Sequence, residues 1–236
     1  MTVFLVVFFA WVFQAVSGFG AGIFIIGILS LLYEPKTIIV SSALFNLLGT
    51  LGLLYQNRKG KVDFYILSSL IAGSVPGIYL GAYLLDRMDN HTLRLAIGFF
   101  IASLGVYDLM VQKGLLNLRL SRHMGLPMGF LGGLFAGLVG MGGPPPVVFL
   151  NQHLKDPVSI RLTLNLFFTS NIFFRLAFYE SLSVASLDLY IVMEGLLGVL
   201  LGLVVGSLIA RSLKAQAYKK LLSFSVIALG VLLLLL

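Results

Sequence analysis

The sequence has no cysteine and few charged residues: only 11% of its 236 residues are Asp, Glu, Lys or Arg. Without cysteine there are no disulfide bonds, thiolate nucleophiles or cysteine metal sites. So little charge excludes an ordinary soluble domain, in which about 25% of residues are charged. The chain is instead 59% hydrophobic, with a mean hydropathy of +1.04. This composition predicts an all-α polytopic membrane protein in contact with a lipid bilayer.

Two glycine-rich stretches interrupt the apolar runs. They are SGFGAG at 17–22 and VGMGGP at 139–144. Glycine at alternate positions continues a helix poorly. Backbone released from a helix at membrane depth must be buried in protein or line a watery cavity. Two matching breaks therefore indicate a functional site.

The apolar segments fall into two sets of four. The first set comprises a broken segment with arms at about 3–16 and 21–32, then 36–56, 64–85 and 92–110; the second comprises arms at about 124–140 and 144–154, then 157–179, 188–209 and about 217 to the C-terminus. At about 1.5 Å per residue, no arm spans a hydrocarbon layer of about 30 Å. Each broken segment is therefore a re-entrant hairpin or a kinked single crossing.

An internal duplication relates the two sets. Gly18, Gly20 and Pro35 recur 122 residues later as Gly140, Gly142 and Pro157. Gly73, Gly77 and Gly81 recur 125 residues later as Gly198, Gly202 and Gly206. The expected organisation is a first membrane repeat at 1–111, a basic cytoplasmic linker at 112–122 and a second membrane repeat at 123–236. The glycines spaced by four residues are interpreted as helix-packing positions.

The loop charges favour re-entrant hairpins. If all eight segments cross, Lys and Arg divide six against nine between the two sides. If the two broken segments return to the side from which they enter, the division is twelve against three, a clear positive-inside pattern. Three crossings per set then give two inverted repeats, with both chain ends outside the cytoplasm. The basic loops are thus read as topological signals, and no nucleic-acid partner is expected.

The predicted site lies where the two breaks meet, because each second arm would point a helix N-terminus at the meeting point and favour an anion. Arg175 is a functional candidate or a snorkelling side chain, because a lone intramembrane arginine is costly. Glu194 either carries a coupling proton or lies at the surface. The amides are also candidates for helix–helix hydrogen bonds. The expected substrate-binding set is Ser17, Gly18, Gly20, Gly22, Asn46, Gly140, Gly142, Gly143, Asn165, Asn171 and Arg175, with Gln14 as a further polar lining residue. No catalytic residue, metal site or cofactor is predicted.

The chain resembles the TauE/SafE sulfite exporter family of prokaryotic membrane permeases. The resemblance rests on SGFGAG, Glu34-Pro35 before Ser41-Ser42, a basic loop ending at Asp63, the glycine-spaced third segment, and their repetition through GLVGMGGPPP and Asp156-Pro157. It implies a multi-pass protein of the prokaryotic inner membrane that transports sulfite, sulfoacetate or another organosulfonate. Of the site residues, the resemblance supports only the glycines at the two breaks.

The expected function is secondary transport of a small sulfur-containing anion by alternating access, with protons as a candidate coupling ion. No P-loop is present, so ATP hydrolysis by this chain is not expected and the protein is not interpreted as an enzyme. A passive anion channel and a non-transporting accessory protein are the alternatives. Substrate identity, transport direction, coupling ion and oligomeric state stay open.

Overall fold

The computed structural model describes residues 1–112, 120–185 and 187–210. All regular structure in these ranges is helical: α1 (Thr2–Ser17), α2 (Ala21–Leu32), α3 (Pro35–Gln56), α4 (Phe64–Arg87), α5 (Asn90–Gln112), a 3-10 turn (Arg122–Met124), α6 (Gly125–Val139), α7 (Pro144–His153), α8 (Pro157–Ser181) and α9 (Leu189–Ala210). The predicted last segment, from about 217, and residues 113–119 of the predicted linker lie outside the described residues.

The helix boundaries agree with the predicted segments to within two residues, because local sequence marks them. Pro35 and Pro157 occupy the first turns of α3 and α8, where no intrahelical N–H bond is lost. Asp63 caps α4 by accepting the Ile66 N–H at 3.2 Å. Asp156 caps α8 by accepting the Ser159 N–H at 3.0 Å. Both carboxylates satisfy backbone donors that the first helical turn leaves free.

Three of the described helices, α3, α4 and α9, are long and apolar enough to cross a membrane. α5 and α8 have 23 and 25 residues, enough length to cross at about 1.5 Å per residue, but they are less apolar. α1, α2, α6 and α7 have between 10 and 16 residues. The short arms on either side of each break are therefore shorter than a bilayer span, as expected.

Each half of the chain packs its glycine-spaced helix against the first arm of the other half. In α9, a methyl group at Gly198, Gly202 or Gly206 would lie 2.9, 2.7 or 2.8 Å from a carbonyl oxygen of α1. Those carbonyls belong to residues 4, 8 and 12, so α9 and α1 run parallel. The absence of side chains lets the two backbones approach this closely.

The same contact recurs between α4 and α6. Methyl groups at Gly73, Gly77 and Gly81 would strike the carbonyl oxygens of residues 126, 130 and 134. Each of these α6 carbonyls lies 122 residues after the corresponding α1 carbonyl. Each α9 glycine lies 125 residues after the corresponding α4 glycine. The predicted packing role of these glycines is confirmed, because both glycine-spaced helices lie against backbone carbonyls at the same four-residue spacing.

α3 and α8, which occupy equivalent places in the two halves, run antiparallel. Thr50 near the end of α3 contacts Thr169 at 3.1 Å between hydroxyl oxygens. The carbonyl of Ile39, near the start of α3, accepts from Arg175, further along α8, at 3.1 Å. Residues that come earlier in α3 therefore lie beside residues that come later in α8.

The arms of each broken segment return to the end of the bundle from which they start. The Leu120 N–H, just before α6, donates to Gln152 Oε1 near the end of α7 at 2.8 Å. At the opposite end, Phe4 near the start of α1 donates to Glu194 of α9 at 3.1 Å. The start of α9 lies beside α3, which directly follows α2. α1–α2 and α6–α7 therefore form two hairpins that enter the bundle from opposite ends.

The two ends differ in charge. The end containing loop 57–63 and the α7–α8 connection is called the basic end, and the end containing the α2–α3 and α4–α5 connections is called the acidic end. The basic end carries Arg58, Lys59, Lys61, Arg122 and Lys155 beside Asp63 and Asp156. The acidic end carries Glu34, Asp86, Asp89, Glu180, Asp188 and Glu194 beside Lys36, Arg87 and Arg94.

Candidate functional site

Both hairpins turn on glycines with left-handed backbone. α1 ends at Ser17, and Gly18 follows with φ +94° while its N–H donates to the Gln14 carbonyl at 2.7 Å. α6 ends at Val139, and Gly140 follows with φ +73°. A residue with a side chain would cost about 1–2 kcal/mol in this conformation. Glycine therefore permits each helix to stop and the chain to reverse inside the bundle.

The two hairpin tips meet around a small cavity. A methyl group at Gly22 would lie only 3.4 Å from the Gly140 carbonyl oxygen. The cavity beside this contact has a volume of about 80 Å³, room for several waters or one small anion, since one water needs about 10–15 Å³. Its lining comes from both hairpins, α3 and α8: Trp11, Gln14, Phe19, Gly20, Gly22, Ile23, Asn46, Thr50, Ala136, Gly140, Met141, Gly142, Gly143, Pro144, Phe168, Asn171, Ile172 and Arg175.

One face of α8 forms a wall of this cavity. Phe168, Asn171, Ile172 and Arg175 all line it, and their spacing of three, four and seven residues places them on one helical face. Seven residues of helix cover about 10 Å. The wall therefore extends about 10 Å along the helix axis, with Phe168 at one end and Arg175 at the other.

Arg175 is a buried cation without an acidic partner among the described residues. It is only 3% exposed, so it does not snorkel to the surface. Its Nε donates to the Tyr179 hydroxyl at 3.2 Å, and its Nη2 donates to the Ile39 carbonyl at 3.1 Å. Neither partner neutralises the charge, and a buried charge without a counter-ion is costly. An anion in the adjacent cavity would supply the missing charge.

Two of the amides that line the cavity have oxygen atoms that already accept hydrogen bonds. Gln14 Oε1 accepts from the Ala21 N–H at 2.8 Å, and Asn46 Oδ1 accepts from Trp11 Nε1 at 3.0 Å. Both partners are donors only, which fixes the orientation of these two amides. The Asn171 amide contacts the Ser74 hydroxyl at 2.8 Å, and that hydroxyl also lies 2.9 Å from the Ile71 carbonyl. The groups that Gln14 and Asn46 leave for a ligand are N–H donors.

Backbone N–H groups contribute less than the sequence leads one to expect. α7 begins with Pro144, Pro145 and Pro146, none of which has an N–H. At the start of α2, the Ala21 N–H is bound by Gln14, and the Ile23 N–H donates to the Gly20 carbonyl at 3.0 Å. The helix N-termini thus supply dipoles and few free donors, and most donors come from side chains.

The structure brings together most of the predicted binding set. The predicted residues that line the cavity are Gly20, Gly22, Asn46, Gly140, Gly142, Gly143, Asn171 and Arg175, together with Gln14.

Four predicted residues lie elsewhere. The Ser17 hydroxyl donates to the Phe13 carbonyl at 2.9 Å, and Gly18 packs against the Arg161 side chain. Asn165 donates to the Arg161 carbonyl at 2.7 Å, which is a contact within α8. Glu194 accepts from the Tyr190 hydroxyl at 2.5 Å and belongs to the acidic end.

Several residues that line the cavity or orient its side chains were not predicted from the sequence. Phe168 and Ile172 share the α8 face with Asn171 and Arg175, so reading that helix by its face would have found them. Trp11, the one tryptophan in the sequence, orients Asn46. Tyr179 is a neighbour of Arg175 one turn along the same helix. Its hydroxyl donates to the Gly137 carbonyl at 2.7 Å and so joins the cavity to the end of α6.

Comparison with known proteins places the chain in a family of membrane exporters. Residues 3–233 match the family described as sulfite exporter TauE/SafE. A probable sulfite/organosulfonate exporter TauE from Cupriavidus necator is 26% identical over 161 residues, which cover 66% of this chain and 62% of that protein. The aligned part therefore spans less than two thirds of that relative. No solved structure matches the chain. Because the family match covers nearly the whole sequence, the chain is a multi-pass membrane protein that belongs to the TauE/SafE sulfite exporter family.

Proposed function

We propose that this protein is a secondary transporter that binds a small sulfur-containing oxyanion, such as sulfite or an organosulfonate, in the cavity between the two hairpin tips. The family and the name of the Cupriavidus necator relative support the substrate class. The chemistry of the cavity supports an anion independently of that similarity.

The observation that carries the proposal is the set of donors around Arg175. A guanidinium with no acidic partner among the described residues lies beside the amides of Gln14 and Asn46, whose oxygens already accept hydrogen bonds. A cation would meet N–H groups and a positive charge, whereas an oxyanion would gain charge-assisted hydrogen bonds. The N-termini of α2 and α7 add a favourable dipole at the same point.

The transport mechanism we propose is alternating access between two inverted repeats. The paired contacts of α4 with α6 and of α9 with α1, and the antiparallel arrangement of α3 and α8, support it. Helices related by an axis in the membrane plane run antiparallel, as α3 and α8 do. The two hairpins would then be the re-entrant elements that close the cavity to one side or the other.

We further propose that the basic end faces the cytoplasm, which follows from the positive-inside rule. Accessibility labelling of single cysteines tests this orientation, since the chain has no native cysteine. Lys59→Cys and Lys155→Cys should be labelled from the cytoplasm. Asp89→Cys and Leu187→Cys should be labelled from the other side. Labelling of Lys155 and Lys59 from opposite sides would exclude a re-entrant α6–α7 hairpin. The same proposal places the Met1 end outside the cytoplasm.

Transport itself is tested with purified protein in liposomes. Saturable flux of sulfite or an organosulfonate, with counterflow, is expected for the wild type. Arg175→Gln should raise the concentration for half-maximal flux at least tenfold, because a hydrogen bond to a charged group contributes about 1.5–3 kcal/mol and about 1.4 kcal/mol is tenfold. Arg87→Gln is the matched control, since Arg87 is at the exposed end of α4. Equal flux in both variants would remove Arg175 from the site.

The same liposomes separate the alternatives. A passive anion channel would conduct without saturation or counterflow, and an accessory protein would move no anion. Proton coupling through Glu194 is a separate proposal, because this carboxylate lies outside the cavity. Glu194→Gln should abolish the dependence of flux on a pH gradient if Glu194 carries the proton, and unchanged dependence would exclude that role.

A further inference from the structure

Each hairpin tip contacts an arginine of α8. A methyl group at Gly18, in the tip of α1–α2, would lie 3.4 Å from Arg161 Nε. A methyl group at Gly140, in the tip of α6–α7, would lie 3.3 Å from Arg175 Nη2. The two glycines are equivalent positions of the internal duplication. The two hairpins therefore present equivalent positions to two guanidinium groups, of which only Arg175 lines the cavity.

Arg161 is a second arginine that has no acidic partner among the described residues. It is half-buried, and its Nη2 donates to the Val16 carbonyl at 3.0 Å. The carboxylate that begins α8, Asp156, instead accepts from the Ser159 hydroxyl at 2.6 Å and from the Ser159 N–H at 3.0 Å. The positive charge of Arg161 and most of its N–H groups are therefore left for an external anion.

The two arginines lie on one stripe of α8 with an aromatic ring between them. Arg161, Phe168 and Arg175 follow one another at intervals of seven residues, which turns each about 20° from the last around the helix. The helix begins at Pro157, at the basic end, so Arg161 lies on the basic-end side of Phe168. The two arginines are about 21 Å apart along the helix axis. From the basic end inward, the stripe thus carries a cation, a ring and a second cation.

Phe168 and Phe19 form a ring pair that lies between the cavity and the basic end. Both rings line the cavity, where a methyl group at Gly143 would lie 3.5 Å from Phe168 and 3.9 Å from Phe19. Both rings also pack against an apolar cluster that extends to Leu154, in the α7–α8 connection. An anion that moves from the cavity toward the basic end along this face therefore meets the ring pair before it reaches Arg161.

We propose that Arg161 forms a second binding position for the transported oxyanion, on the basic-end side of the Phe19–Phe168 ring pair. The anion occupies this outer position before or after the position at Arg175, and the ring pair separates the two. A half-buried cation binds an anion more weakly than a buried one, because water screens its charge. The outer position is therefore one that an anion in transit can leave easily. This inference rests on the proposed function and adds a second position to the route of the same anion.

The outer position is tested by anion protection of Ser17→Cys, because Ser17 lies between Val16 and Gly18, which Arg161 contacts. The full chain in detergent is labelled with methyl methanethiosulfonate, an uncharged reagent, at an ionic strength held constant with chloride. Methanesulfonate is the probe, since sulfite itself attacks such reagents, and dimethyl sulfone is its uncharged analogue. Methanesulfonate should slow labelling about fivefold at about four times the concentration of half-maximal protection. Dimethyl sulfone should not slow it.

Variants show which arginine holds the protecting anion. Arg161→Gln should abolish the protection and Arg161→Lys should restore part of it, while Arg175→Gln should keep it. Arg58→Gln is the matched control and should also keep it, since Arg58 belongs to the same end and stacks on Tyr55 at 4.2 Å. Protection is the ratio of rates with and without anion in one variant, so a looser hairpin tip alone does not change it. Protection that survives Arg161→Gln or is lost in Arg175→Gln would overturn the inference, as would no protection of the parent Ser17→Cys protein. Wild-type flux in liposomes decides the proposed function separately.

The ring pair is tested with Thr50→Cys, which places a thiol in the lining of the cavity. The membrane-impermeant reagent 2-sulfonatoethyl methanethiosulfonate is added to membrane vesicles prepared so that Lys59→Cys is labelled from outside, which presents the basic end to the reagent. Phe168→Ala should speed labelling of Thr50→Cys about tenfold, the effect of lowering a barrier by about 1.4 kcal/mol. Phe173→Ala, on the exposed face of the same helix, is the control and should leave the rate unchanged. An unchanged rate in Phe168→Ala would show that the rings do not separate the two positions, and the inference would fail.

Discussion

Replacing Tyr179 with phenylalanine should weaken anion binding without removing the charge that attracts the anion. The Tyr179 hydroxyl accepts from Arg175 Nε at 3.2 Å and donates to the Gly137 carbonyl at 2.7 Å. The side chain is 3% exposed, so water does not replace the hydroxyl. Tyr179→Phe keeps the ring and leaves Nε and the carbonyl without that partner. Each buried group left unsatisfied costs about 1–3 kcal/mol.

Part of this cost should appear as lost affinity, because the guanidinium then keeps only its hydrogen bond to the Ile39 carbonyl and no longer points firmly into the cavity. We expect the half-saturation concentration of flux to rise about tenfold, equivalent to about 1.4 kcal/mol, with a smaller change in maximal rate. The assay is concentration-dependent uptake into liposomes with equal amounts of reconstituted protein. Tyr79→Phe is the control, since Tyr79 lies half exposed at 50% and makes only a ring contact with Phe178.

The reasoning would be refuted by a Tyr179→Phe protein that has a lower melting temperature and an unchanged half-saturation concentration. Tyr179 would then stabilise the end of α6 and have no part in orienting Arg175. A fall in maximal rate alone would also refute it, because positioning of a binding group acts first on affinity.

Three further predictions concern the framework around the site. Gly140→Ala should lower the melting temperature and abolish transport, because its φ of +73° costs a side chain about 1–2 kcal/mol; wild-type flux in a stable variant would contradict this. Gly77→Ala and Gly202→Ala should each destabilise the protein by about 1–3 kcal/mol, since both press a methyl group onto a backbone carbonyl; chemical denaturation measures the change, and tolerance of either variant would show that the helices can separate. The Ser159 hydroxyl and N–H lower the pKa of Asp156 from its ordinary value of 3.8, so its contribution to stability is present above pH 3.8 and is lost as pH falls through the lowered value. Asp156→Ala should therefore lower the melting temperature at pH 7, and this difference from wild type should shrink below pH 3.8; a difference independent of pH would exclude the carboxylate as its source.

The helices and the location of the cavity could be predicted from the sequence because both depend on local chemistry. Pro35, Pro157 and the capping aspartates mark helix starts within the chain itself. Gly18 and Gly140 mark the two breaks for the same reason, since their left-handed backbone is a property of one residue and its neighbours.

The identity of the lining could be predicted only in part, because it depends on which helical face turns inward. Asn165 and Asn171 are both buried amides of α8, yet only Asn171 lines the cavity. They differ by six residues, or about 600° of rotation at 100° per residue, and so lie on different faces. The expectation of free backbone donors at the start of α7 overlooked Pro144, Pro145 and Pro146, which are visible in the sequence and have no N–H.

The exchange of partners between halves has a consequence for biosynthesis. α6 is made after α4, so the second hairpin finds its glycine-lined neighbour already in place. α1 is made long before its corresponding neighbour α9, which begins only at Leu189. Most of the chain must therefore be synthesised before α9 can cover the backbone of α1. Contacts this distant in sequence form slowly. A chain that ends before Leu189 would leave the face of α1 that contacts the α9 glycines uncovered.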